Sequence, residues 1–315
     1  MYLLGFDIGG TKCAVITARW ENGNVTLLKK DKCPTDKTIT PIQMIDRLIG
    51  MADGILEKKP DAIGISCGGP LDSKRGVIQS PPNLQGWDNV AIVQQIEEHY
   101  GVPTHLQNDA NACAVAEWKF GAGKGKSNVI FLTFGSGLGA GLILDGRLYS
   151  GTNDNAGEVG HIRLDRFGPV GYGKAGSFEG FCSGNGIAQL GYTLALEQAQ
   201  MGQYPLYFNK GMSAADVTAK AIADAAEAGD ATARRVYQVC GEYLGRGLSV
   251  LIDILNPELI VIGSVFARSH HLLWEATEKQ INQEALALAA RCCSVVPAAL
   301  GEQIGDFAAI ATAIL

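Results

Sequence analysis

The chain has 315 residues, 47% of them apolar and 18% charged, with a net charge of −6 at pH 7 and a pI near 5.4. That length can bury a substantial core and suffices for two domains, and the composition is that of a globular chain, not a disordered one. An acidic balance without a long basic run argues against nucleic acid and membrane surfaces as partners, because both are anionic.

The first residues, Met-Tyr-Leu-Leu-Gly-Phe-Asp, lack the basic flank and apolar core of a leader peptide. No stretch approaches the roughly 20 apolar residues that span a bilayer. Residues 2–8, 12–19 and 25–30 read as strands, and 41–57 places Ile42, Ile45, Leu48, Ile49, Ala52, Ile55 and Leu56 at helical spacing. Strand 61–66, helix 88–100, strand 104–107 and a helix from about 110 follow. Strands 128–134 and 140–145 come next, then a glycine-rich, aperiodic stretch over 147–185 that reads as loops with functional potential. A helical section is expected from the capping sequence Ser213-Ala-Ala-Asp216, through 215–228 and 231–254. After the break at Asn256-Pro257 come strand 258–262, helix 272–288, a short strand near 294–297 and a terminal helix near 305–315. Strands alternate with helices, while the early hairpins make the sheets mixed, so the class is α/β with two similarly begun lobes.

One kind of turn occurs twice. Residues 4–16 and 131–144 are each an apolar run, a tip of Gly with Ser or Thr, and a second apolar run. The flanking β-branched and aromatic residues favour hairpins. A tip of Gly, Ser and Thr exposes backbone N–H groups with no side chain in the way, and such concavities bind phosphate oxygens. Two of them suggest a nucleotide held from two sides, and so phosphoryl transfer; ordinary tight turns are the alternative. Two other phosphate motifs fail. Gly135-Ser-Gly137-Leu-Gly139 is followed by a strand where a dinucleotide fingerprint needs a helix. Gly125-Lys126-Ser127 has Phe120 where a P-loop needs its first glycine.

Asp7 ends the first strand beside the tip Gly9-Gly10-Thr11-Lys12, where a carboxylate can hold Mg²⁺ directly or through water. Asn108-Asp109-Ala110-Asn111 lies where strand 104–107 meets a helix. Asp109 there suits either an N-cap or a general base, and spacing does not separate the two. The eight cysteines, at 13, 33, 67, 113, 182, 240, 292 and 293, sit mostly singly in apolar segments with no C-x-x-C. Buried reduced thiols look this way, which favours a cytoplasmic location.

Asp7-Ile-Gly-Gly-Thr-Lys12, Gly68-Gly-Pro70, Pro82-Asn83-Leu84, Asn108-Asp109-Ala-Asn111, Gly135-Ser-Gly-Leu-Gly139, Gly157-Glu158-Val-Gly160-His161 and Asn256-Pro257-Glu258 occur in this order. Together they resemble the ROK family of sugar kinases and sugar-responsive repressors, over essentially the whole chain. The resemblance implies an α/β, two-lobed actin/hexokinase-like (ribonuclease H-like) fold with an active-site cleft between the lobes. A small lobe would comprise 1–115 with the terminal helix 301–315, and a large lobe 116–300. It implies ATP-dependent phosphorylation of a hexose, glucose at O6 first, with Asp109 as the base. Fructose, mannose, an N-acetylhexosamine or a glucoside as acceptor, or a non-catalytic sugar-sensing regulator, are the alternatives. The ATP phosphates would meet Asp7, Gly9, Gly10, Thr11, Lys12, Gly135, Ser136, Gly137 and Gly139, with Gly263 near the adenosine and Mg²⁺ at Asp7. Gly68, Gly69, Asn83, Asn108, Asp109, Glu158, His161 and Glu179 would meet the sugar. A homodimer is implied as well. The repressors carry a DNA-binding segment ahead of the kinase-like part, and here the first phosphate loop already starts at residue 7.

One departure stands out. Many members place a zinc site, His plus C-x-C-G-x-x-G-C, just before a sugar-binding Glu. Here Val170, Tyr172 and Ser177 occupy the three cysteine positions, while the glycines and Glu179 remain. His161 alone does not hold zinc, which takes four Cys or His ligands, so no zinc is expected. Packing of Tyr172 and Phe178 is expected to hold the loop instead.

Overall fold

The structure, a computed structural model, describes residues 1–315. It divides into two compact units. The first comprises 1–131, 141–156 and 299–315, and the second 132–140 and 157–298.

The first unit is built on β1 (Tyr2–Ile8), β2 (Lys12–Glu21) and β3 (Asn24–Pro34), followed by helix α1 (Pro41–Ile55) and β4 (Ala62–Cys67). A small flap of β5 (Leu71–Asp72) and β6 (Val77–Ile78) precedes α2 (Ile92–Tyr100), β7 (Thr104–Asn108) and α3 (Asp109–Phe120). The sheet order is β3-β2-β1-β4-β7, antiparallel from β3 to β1 and parallel from β1 to β7. The period of two in β1 sorts its side chains. Leu4, Phe6 and Ile8 join a core with Met44, Ile45 and Leu48 of α1 and Ile92 and Ile96 of α2. Leu3 turns to the other face, where Ile16, Ala309 and Ile310 pack. The last two belong to the terminal helix of the chain, which approaches the sheet closely over glycines. A Cβ on Gly64 would lie 2.1 Å from the Ala309 carbonyl oxygen, so no side chain fits there.

The chain continues through β8 (Val129–Phe134), β9 (Leu138–Leu144) and β10 (Arg147–Leu148), then a small hairpin of β11 (Val170–Gly171) and β12 (Lys174–Ala175). Helices α4 (Phe178–Phe181), α5 (Gly184–Gln200), α6 (Ala219–Glu227) and α7 (Ala231–Leu255) follow. The remainder is β13 (Leu259–Ile262), α8 (Val265–Glu284), α9 (Ala287–Ala290), β14 (Ser294–Pro297) and α10 (Ile304–Thr312). The second sheet has the order β10-β9-β8-β13-β14. Within the second unit α7 and α8 pack tightly over glycines. A Cβ on Gly241 or Gly245 would lie 2.6 Å from the carbonyl of Leu273 or Thr277. No helix is long and apolar enough to cross a membrane.

The expected strands and most helices form, with several differences: α2 begins at Ile92, not 88, and the β5–β6 pair is not expected from the sequence. The stretch 147–185 is not all loop, since it holds β10, the β11–β12 hairpin, α4 and the start of α5. Helix α5 is not expected from the sequence because, of its buried positions Gly186, Ile187, Gly191 and Ala195, only Ile187 is a large apolar residue, which gives no apolar stripe. The capping box of Ser213 and Asp216 forms, but it closes only a single 3₁₀ turn; Thr218 caps α6. Helix α8 begins at Val265, not 272, and is kinked at Ser269.

Candidate active site

The first glycine turn closes on itself. Gly9 N–H donates to the Lys12 carbonyl at 3.1 Å, and the Thr35 hydroxyl donates to the Gly9 carbonyl at 2.6 Å. Thr35 N–H also bonds the Thr11 carbonyl at 2.9 Å. A Cβ on Gly10 would lie 2.5 Å from the Asn83 Cβ, so this glycine admits the Pro82-Asn83-Leu84 segment against the tip. Thr11, Lys12 and Asn83 are exposed around it.

Asp7 stands at the end of β1, half-buried beside the N-terminus of α10, where a Cβ on Gly305 would lie 3.0 Å from its Oδ2. Burial, chiefly, raises its pKa from 3.8 to about 6. The Asp306 and Asp109 carboxylates push the same way, while Lys30 and Lys12 oppose them. Asp306 is 6% exposed and takes both its oxygens to Lys30 Nζ, at 2.5 and 2.7 Å. Neither Lys30 nor Asp306 was singled out by sequence. They lie 276 residues apart, and no local motif marks them.

At the β7–α3 corner the cap falls to Asn108 and not to Asp109. The N-cap is Asn108, with extended backbone and its side-chain oxygen accepting from Ala110 N–H at 2.9 Å. Asp109 is the first helical residue and its side chain is exposed, with Oδ1 2.8 Å from the same N–H. The corner is pinned from below by buried Gln107, whose Oε1 accepts from Asn108 N–H at 2.9 Å and from Asn111 Nδ2 at 3.1 Å. Gly69 abuts this corner, since its Cβ would meet Asn108 Nδ2 at 2.9 Å, and Gly68 has open space. Asp7, the first tip, Gly68, Gly69, Asn83, Asn108 and Asp109 therefore all belong to the first unit.

The second unit holds the second tip. Gly135 N–H donates to the Gly137 carbonyl at 3.1 Å, and Thr133 Oγ1 bridges across to Gly139. The Gly135 carbonyl accepts from Gly184 N–H at 2.7 Å, which seats the N-terminus of α5 beside the tip. Ser136 is exposed. Gly263, at the end of β13, donates to the Leu132 carbonyl at 3.0 Å, and Ser264 next to it takes φ +51. Glu179 reaches this tip. Its Oε2 accepts from Leu138 N–H at 3.0 Å and lies where a Cβ on Gly137 would come within 2.8 Å. Gly160 packs against Leu138 and Glu179, the His161 ring that follows meets Tyr172 edge-on, and Glu158 is exposed.

The loop after His161 has its own fastenings. Gln189 clasps Val170 with two hydrogen bonds, Val170 N–H to Oε1 at 3.0 Å and Nε2 to the carbonyl at 2.9 Å. Lys174 Nζ donates to the His161 carbonyl at 2.7 Å, and Ser177 caps α4 through Gly180 N–H at 3.1 Å. Phe178 is fully buried against Gly247 as expected. Tyr172 is 73% exposed and offers only an edge contact to the His161 ring, so it anchors little. No group of three or more His, Cys, Asp or Glu side chains is arranged to hold a metal.

Comparison with known proteins decides the family. The ROK family model matches residues 3–314. The chain belongs to the ROK family. A glucokinase from Halalkalibacterium halodurans is 32% identical over 315 residues, covering 96% of this chain and 92% of that protein. The crystal structure of a ROK family glucokinase from Streptomyces griseus, solved with glucose and AMPPNP, superimposes with a TM-score of 0.78 at 29% identity, covering 100% of this chain and 99% of that one. The transcriptional dual regulator NagC of Escherichia coli is 32% identical over 81% of this chain and 61% of its own length. The mixed α/β architecture with its two compact units is accordingly the actin/hexokinase-like fold of ROK glucokinases.

Proposed function

We propose that the protein is an ATP-dependent hexose kinase, with glucose the first candidate acceptor and O6 the position phosphorylated. The observation that carries this reading is the β7–α3 corner. Asn108 does the capping, so Asp109 presents an exposed carboxylate in the unit that also holds Asp7 and the first glycine tip. The match to a glucokinase solved with glucose and AMPPNP supports the same chemistry.

The residues act as follows under this reading. Asp109 accepts the proton of the attacking hydroxyl as its oxygen bonds to the γ-phosphorus and the bond to the departing ADP oxygen breaks. Gln107 and Asn108 fix the corner, so the carboxylate is positioned before the sugar arrives. Asn83, Asn108, Glu158, His161 and Glu179 supply the neutral and charged partners that hexose hydroxyls need. Backbone N–H groups of the turns at 9–12 and 135–139 face charge developing on the phosphate oxygens. Asp7 fits a cation carried with the nucleotide, because burial and two neighbouring carboxylates make its negative charge unfavourable alone. Mg²⁺ bound there, directly or through water, supplies charge neutralisation at the phosphates.

The similarity to NagC favours a second reading, a sugar sensor without turnover. A coupled ADP-release assay across glucose, mannose, fructose, N-acetylhexosamines and glucosides separates the two. The kinase reading fails if hexose binds and no hexose stimulates ADP formation. Asp109→Asn should keep hexose binding and lose about 10²–10⁴-fold or more in turnover, the usual contribution of a general base. Little change would mean that Asp109 is not the base.

A further inference from the structure

Two thiols beside the first glycine tip have no part in that mechanism. Cys13 on β2 and Cys33 on β3 are directly opposite each other in the antiparallel ladder, between the pairs Lys12–Pro34 and Ala14–Lys32. Directly opposed residues in such a ladder have Cα atoms about 4.5 or 5.5 Å apart, within the roughly 4.4–6.8 Å that a disulfide spans. Both side chains lie on the same face of the sheet, since Cys13 belongs to the core under α1 and Cys33 packs against that core. Both are free thiols. Cys13 is wholly buried, while Cys33, on the edge strand, is partly exposed.

We propose that Cys13 and Cys33 form a reversible cross-strand disulfide by exchange with a low-molecular-weight disulfide of the glutathione type, and that this link loosens the first glycine tip. The partly exposed Cys33 reacts first. Its thiolate attacks one sulfur of glutathione disulfide, forming a mixed disulfide and releasing one glutathione. The Cys13 thiolate then attacks the Cys33 sulfur, releasing the second glutathione. Two protein thiols are oxidised, one glutathione disulfide is reduced to two thiols, and the two protons pass to the released glutathione. Burial holds both thiols above their usual pKa, and the Arg47 guanidinium works against it at Cys33, so exchange is slow but directed to the outer thiol.

The consequence follows from what Cys13 touches. Its Sγ lies 3.4 Å from Thr35 Oγ1 and 3.8 Å from the Gly9 carbonyl, the same carbonyl that Thr35 holds. Turning that sulfur towards Cys33 withdraws it from both, at the turn whose backbone faces the nucleotide. This consequence rests on the kinase reading; the disulfide itself does not.

The full-length protein is equilibrated in glutathione buffers from fully reduced to fully oxidised, and linked peptides are mapped by mass spectrometry. Binding of AMPPNP with Mg²⁺ and the KM for ATP are measured on the same samples. The expected result is a Cys13–Cys33 link whose growth tracks a rise of about tenfold in nucleotide Kd and KM, the loss of about one hydrogen bond, reversed by dithiothreitol. Cys33→Ser should keep the activity of the reduced protein and abolish both the link and the response, and Cys33→Val serves if the serine variant folds poorly. Mixed disulfides at Cys33 with no link, reaction confined to Cys292 and Cys293, or a link that leaves nucleotide binding unchanged would each overturn the proposal. If the reduced protein forms no ADP with any hexose, the kinase reading fails instead, and the peptide map and AMPPNP binding still decide this one.

Discussion

Asp7→Asn tests the electrostatics of the phosphate end without disturbing its shape. The side chain is half-buried between the β1 terminus and Gly305, and asparagine occupies the same space. The carboxyl pKa rises from 3.8 to about 6, mainly through burial and then through Asp306 and Asp109. A raised pKa in the folded state means that folding favours the protonated form. The group's contribution to stability is therefore complete below about pH 3.8 and is lost as pH rises through about 6. At about 1.4 kcal/mol per pKa unit, the ionised carboxylate costs the ligand-free protein about 3 kcal/mol at pH 8. Asparagine stays neutral at every pH, so the variant escapes this penalty.

Thermal or denaturant unfolding of the ligand-free protein at several pH values reads the difference. The variant should be the more stable by about 3 kcal/mol at pH 7–8, with the gap closing between pH 6 and 4. The same substitution should weaken binding of AMPPNP with Mg²⁺ and lower turnover, because it removes the charge that a cation would relieve. A variant as stable as the parent or less stable at pH 8, or a gap that does not vary from pH 4 to 8, would refute the reasoning. Stabilisation with nucleotide affinity unchanged would leave the electrostatics standing and remove Asp7 from the cation's surroundings.

Gly137→Ala drives a methyl to within 2.8 Å of Glu179 Oε2, the far end of a flexible side chain, so stability should change by less than about 1 kcal/mol. The carboxylate must move, and the KM for hexose should rise by about tenfold, the value of one hydrogen bond, in steady-state kinetics. Gln189→Ala removes both bonds to Val170 and should destabilise the protein by about 1–2 kcal/mol. Limited proteolysis between 165 and 175 should quicken in step. Elemental analysis of protein purified without chelator should find far less than one zinc per chain, and EDTA should leave the melting temperature unchanged; one tightly bound zinc per chain would refute this.

Local structure was legible in the sequence and remote pairing was not. The strands of the first sheet could be read because β1, β2 and β4 are apolar runs ended by glycine or a carboxylate. The two tips could be read as hairpin turns because glycines stand between such apolar runs. Helix α5 was hidden because mostly small residues line its buried face, an arrangement that packing allows and hydrophobic periodicity does not report. The Lys30–Asp306 pair was hidden for a different reason. It joins an edge strand near one end of the chain to the first turn of α10 at the other, and only the fold brings them together.

Asn108 and Asp109 show where reading by residue type stops. Both are good N-cap residues, and both stand at the same strand-to-helix corner. Geometry assigns the cap by backbone conformation: Asn108 has the extended φ and ψ of a cap, and Asp109 already opens the helix. Aspartate at the first helical position still interacts favourably with the helix dipole, so helix stability alone accounts for its presence. What helix stability does not account for is the buried Gln107, which gives its side-chain oxygen to both Asn108 and Asn111 beneath the corner. Under the kinase reading these bonds also hold the Asp109 carboxylate in position to meet a hydroxyl. Gln107 thus braces the corner on which the proposed base stands, and the sequence motif passes it by.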